Sequence, residues 1–71
     1  MQILRDILHI ARNMQKVNKL WGEVRMIVKR DRGVDLERLP SSIKMQQYQR
    51  VKQEFINGNT SAEDIASMML A

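Results

Sequence analysis

No cysteine occurs among the 71 residues, so neither a disulfide framework nor a thiolate zinc site is available, and a reducing, cytoplasmic location is expected. Three isolated glycines, Gly22, Gly33 and Gly58, provide no glycine-rich loop to cradle a phosphate. Only Trp21, Tyr48 and Phe55 are aromatic, and they are not interleaved with basic residues as a base-stacking platform requires. No apolar run approaches the roughly 20 residues that span a bilayer; the longest covers residues 68–71. Arg5, Asp6 and His9 interrupt the only stretch that could serve as a secretory signal, so none is expected.

The same shortages bear on catalysis. His9 is the sole histidine and sits on the face of a predicted helix that points to solvent. Asp6 and His9, three residues apart, could share a surface metal, but two ligands do not make a site and no cysteine or second histidine completes it. Ser41, Ser42, Ser61 and Ser67 fall at predicted caps or on a helix face, away from any base. A helical chain this short also lacks the volume for a typical ligand pocket within itself. No enzyme activity, metal or cofactor is expected.

What the sequence does contain is a heptad seam. Ile3, Ile7, Ile10, Met14, Val17, Trp21, Val24 and Val28 alternate steps of four and three without a miss. Steps averaging 3.5 residues hold one narrow stripe against a neighbour, so residues 2–30 read as one helix about 42 Å long that lies along another. Leu4, Leu8, Ala11, Leu20 and Ile27 widen the stripe. That breadth implies contact on two sides, one with the rest of the chain and one with a second chain. Domains below ~80 residues without staples often need such a partner, so the seam is expected to form the interface of a homodimer or to hold a partner helix.

Gly33 ends this helix, and Arg25, Lys29, Arg30 and Arg32 gather near its carbonyl terminus, where positive charge is favoured. Gly22 is its weak point, and a bend or a close backbone approach there would account for it. Residues 31–41 form a connection with one helical turn begun by Asp35 and ended by Pro40. A second helix over 42–56, capped by Ser41 or Ser42, presents Met45, Tyr48, Val51 and Phe55 as its inner stripe. Asn57 and Gly58 close it in the left-handed conformation. Thr60 and Glu63 fit a capping box for a third helix over 61–70, with Ala62, Ile65, Ala66 and Met69 on its apolar face.

The expected fold is therefore a single all-α domain over 1–71. One long N-terminal helix is followed by a C-terminal helical hairpin, in a dimeric bundle. Residues 51–70 also resemble the opening of a helix-turn-helix unit, in which a helix meets a glycine-containing turn and a short Ser-x-x-Glu-Ile-Ala type helix. That resemblance implies a recognition helix next, where the sequence ends at Ala71; a capped helical hairpin is the expected structure.

Charge is unevenly spread. Residues 1–32 hold eight basic against three acidic side chains, and residues 33–71 four against five. Arg5, Arg12 and Lys19 recur every seven residues opposite the seam, with His9, Lys16 and Arg30 beside them and Glu23 the acidic interruption. This basic lane could follow a phosphate backbone through Arg5, Arg12, Lys16, Lys19 and Arg30, without reading sequence. Its other reading is a solvated face. The first 20 residues also have the pattern of an interfacial membrane helix, but a seam running on through Val28 favours packing on protein. The function expected is a non-catalytic, self-associating regulatory or adaptor module that binds protein, with phosphate-led nucleic-acid binding as the alternative.

Overall fold

The computed structural model describes the backbone of residues 2–69 and the side chains of residues 13–69. The protein is all-α. Helix α1 spans Gln2–Arg32, α2 spans Ser41–Ile56 and α3 spans Ala62–Met68, with one 3₁₀ turn at Leu36–Arg38 between the first two. The molecule extends 47 Å along its longest axis, which matches the length of about 46 Å for a straight 31-residue helix.

The seam propagates α1 as one helix through Gly22. A Cβ placed on Gly22 would meet only Arg25 Nη2, at 3.9 Å, so of the two explanations for this glycine, a bend or a close backbone approach, the second is absent. The helix continues two residues past the expected boundary at 30. It stops where Gly33 turns to φ 70°, and the Gly33 amide donates to the Lys29 carbonyl at 3.0 Å. A glycine adopts this left-handed conformation without the Cβ penalty.

The connection folds back through two local devices. Asp35 caps the 3₁₀ turn as expected, its carboxylate accepting from the Glu37 amide at 3.1 Å, and Leu36 within the turn is fully buried in the apolar cluster. Leu39, held extended at ψ 154° by the following Pro40, ends the turn. Pro40 itself then takes the N-cap position of α2, its carbonyl accepting from the Lys44 amide at 2.9 Å. No side chain caps α2, so the expected role of Ser41 or Ser42 is not taken up. The extended Leu39–Pro40 pair leads straight into Ser41 as the first helical residue.

At the far end of α2 the left-handed conformation falls on Gly58 alone, at φ 91°, while Asn57 stays at φ −78°. The cap of α3 is shifted by one residue from the expected pair. Ser61, not Thr60, is the N-cap, and its hydroxyl accepts from the Asp64 amide at 3.3 Å. The turn consumes the extra residue: the Asn59 amide donates to the Glu54 carbonyl at 2.8 Å, and the Asn59 side chain accepts from the Ser61 amide at 3.1 Å. The helix ends at Met68, because Met69 is extended at ψ 139°, short of the expected boundary at 70.

Both α2 and α3 pack chiefly on α1. Leu20, Trp21, Val24 and Val28 of α1 meet Leu36, Val51 of α2, and Ile65, Ala66 and Met69 in one buried cluster. Ile27, Val34, Leu39, Tyr48, Phe55, Ala62 and Met68 close its margins. The apolar face expected for α3 is thus confirmed, whereas Met45 of the α2 stripe stands exposed. An arginine completes the docking of α3: Arg32 donates to the carbonyls of Met69 and, at 2.9 Å, Ser67. A cation at the carbonyl end of a helix is favourable, so the basic cluster of α1 serves α3 as well as its own terminus.

Candidate interaction surface

The seam divides at about Val17. Val17, Trp21, Val24 and Val28 are buried by the chain's own helices. Met14, one step towards the N-terminus, is 55% exposed. Ile3, Ile7 and Ile10, which continue the seam in register, lie outside the described side chains, as do Arg5, His9 and Arg12. Hence the inner half of the surface expected for a partner is the wall of the protein's own core. Among the described side chains of the seam, Met14 is the one left exposed.

Trp21 anchors the covered half. Its ring meets Tyr48 edge to face, with centroids 5.7 Å apart at 83°, and its indole N–H donates to Glu37 at 3.4 Å. The Arg25 guanidinium lies 6.0 Å from the Trp21 ring centre and 3.2 Å from Glu37, and Lys44 approaches Glu37 at 3.6 Å. Glu37 therefore ties α1, the 3₁₀ turn and α2 together at one carboxylate. Arg25, Glu37 and Lys44 are each partly exposed, so solvent screens the ion pairs, and their effect is mainly to fix geometry. Tyr48 adds a hydrogen bond from its hydroxyl to Asn18 Oδ1 at 2.9 Å.

Just beyond this anchor, α1 and α2 leave an open groove of about 360 Å³ lined by Asn13, Met14, Val17, Tyr48, Lys52, Phe55 and Ile56. Ile56 is 62% exposed at its rim. Tyr48 and Phe55 were legible as an inner stripe, but Ile56 and Lys52 were not. The available signal was the adjacency of Phe55 and Ile56, which widens the apolar face of α2 by one position. Phe55 also lines a shallower cleft with Lys16, Lys19, Leu20, Glu23 and Thr60.

The basic lane is not uniform. Lys16 and Lys19 are exposed and form no ion pair among the described residues. Arg30 differs: it is paired with Asp31 at 2.8 Å and Glu63 at 3.5 Å, linking α1 to α3. The Asp31 hydrogen bond, followed by the charge of Asp31 and the Glu63 contacts, raises the Arg30 pKa above the ordinary arginine value. In return, the hydrogen bond from Arg30 lowers the Asp31 pKa against a smaller opposing effect of desolvation. Arg30 is thus held by carboxylates, while Lys16 and Lys19 meet none among the described residues.

Among the described residues no group of three or more His, Asp or Glu side chains is placed to hold a metal ion, and no helix is long and apolar enough to cross a membrane. Comparison with protein-family models, with curated proteins and with solved structures finds no match to this chain.

Proposed function

We propose that this protein is a non-catalytic helical interaction module, a regulatory or adaptor protein that self-associates along the N-terminal part of α1 and binds a protein partner. The observation that carries the reading is the break in cover at Met14. Up to Val17 the seam is consumed by the fold, yet the sequence repeats it through Ile10, Ile7 and Ile3 in unbroken register along the same helix. An amphipathic stripe of this regularity, exposed where Met14 ends its described part, is suited to packing against protein. A cytoplasmic setting suits a chain without cysteine.

Phosphate-led nucleic-acid binding is the second reading, and the exposed Lys16 and Lys19 favour it. It is weakened by the engagement of Arg30 with Asp31 and Glu63. Sedimentation equilibrium separates the two. Self-association gives a concentration-dependent dimer that Ile10→Asp dissociates, because the substitution places an unpaired charge in the seam. A monomer at high micromolar concentration contradicts it. Binding to a generic duplex that weakens steeply with salt supports the second reading instead.

A further inference from the structure

We infer that the groove between α1 and α2 seats an acidic amphipathic helix of another protein. This rests on the interaction-module reading and names the partner chemistry. The groove has an apolar lining, formed by Met14, Val17, Tyr48, Phe55 and Ile56, and its charged lining residue is Lys52. Across Phe55 the neighbouring cleft adds Lys16 and Lys19, offset only by Glu23.

The ion pairs of the described residues gather away from the groove, where Glu23 and Glu54 are the carboxylates nearest in sequence to its lining. At the opposite end, Glu37 is engaged by Arg25 and Lys44, Asp35 by Lys29 and Arg38, and Asp31 and Glu63 by Arg30. Around the groove, Lys16, Lys19 and Lys52 have no carboxylate partner among the described residues. An apolar trough flanked by unpartnered lysines is complementary to a helix with an apolar stripe bordered by Asp and Glu.

A second copy of this chain fits less well. Of its helices, α1 and α2 carry more basic than acidic residues. The acidic helix is α3, with Glu63 and Asp64 in its first turn, and its apolar face of Ile65, Ala66 and Met69 is already buried. No described helix of the chain offers both an acidic border and a free apolar stripe.

The test uses the intact protein and a fluorescein-labelled peptide of about 14 residues, two heptads, with leucines at the seam positions and glutamates beside them. A sister peptide carries lysines in place of the glutamates. Anisotropy titration at low salt is expected to show binding of the glutamate peptide at least tenfold tighter than the lysine peptide. Binding should fall about tenfold in Ile56→Glu and severalfold in Lys52→Glu. Both positions are exposed, and unchanged circular dichroism verifies that the variants fold. Equal binding of the two peptides, absence of binding, or an unchanged affinity in Ile56→Glu overturns the inference. So does displacement of the peptide by generic duplex DNA, which assigns the lysines to phosphate. Sedimentation of the same samples separates the two levels. A monomer that binds the glutamate peptide removes self-association and leaves the groove standing, whereas a dimer that ignores it does the reverse.

Discussion

Replacing Ile65 by alanine is expected to remove a large part of the stability of the whole chain. Ile65 is fully buried at the centre of α3, against the α1 residues that form the covered half of the seam. With 7 residues, α3 is far too short to be helical by itself, so its structure depends on this docking. Truncation of a buried isoleucine costs about 2–5 kcal/mol, as lost transfer energy plus the cavity left behind. A domain of this length holds in total roughly 4–11 kcal/mol at typical per-residue stability. At 4–8 °C per kcal/mol, a loss of about 3 kcal/mol lowers the melting temperature by roughly 12–24 °C. Trp21, 8% exposed and the only tryptophan, reports the core, so urea unfolding followed by its fluorescence alongside far-ultraviolet circular dichroism measures the loss. Met26→Ala, at a residue 74% exposed, is the control and should change stability by less than about 0.5 kcal/mol. An Ile65→Ala protein as stable as this control would refute the docking of α3 on α1.

Two further outcomes follow from the helix and its ion pairs. Gly22→Ala should stabilise the protein by up to about 1 kcal/mol, since the added Cβ meets only the tip of Arg25 in a helix interior; a destabilised variant in urea titration would mean that a neighbour needs the glycine. Asp31 has its pKa lowered in the folded state by Arg30, so the stability it contributes is present above the unfolded carboxylate value near 3.8 and is lost as pH falls through the lowered folded value. Carboxylate titration by NMR should place Asp31 below 3.8 and return it upward in Arg30→Gln; an identical titration in both proteins would refute the pairing.

The elements were legible because each was signalled locally. Gly33, Asp35, Pro40 and Gly58 act within a few residues of chain, and each operates where the pattern placed it. The capping pair at α3 shows the limit of such reading. Thr60 with Glu63 and Ser61 with Asp64 have the same spacing, and the choice between them is made by how Asn59 bonds across the turn to Glu54 and Ser61. The partners of the basic residues were less legible still. Periodicity puts Arg30 in line with Lys16 and Lys19, but the fold brings Glu63 back from the far end of the chain to meet it. Likewise the seam itself carries no mark at Val17. That Val17 is buried and Met14 exposed is set by the lengths of α2 and α3 and by the turns that place them, which are tertiary quantities.

Amide hydrogen exchange along α1, followed as a function of protein concentration, tests the central claim most directly. The amides of Leu20, Trp21, Val24 and Val28, whose side chains are buried in the chain's own core, should be equally protected at low and high concentration, whereas self-association predicts that exchange from Arg5 to Met14 slows as concentration rises. Protection of that outer stretch that is independent of concentration, across the range where sedimentation is measured, would contradict self-association through the N-terminal part of the seam.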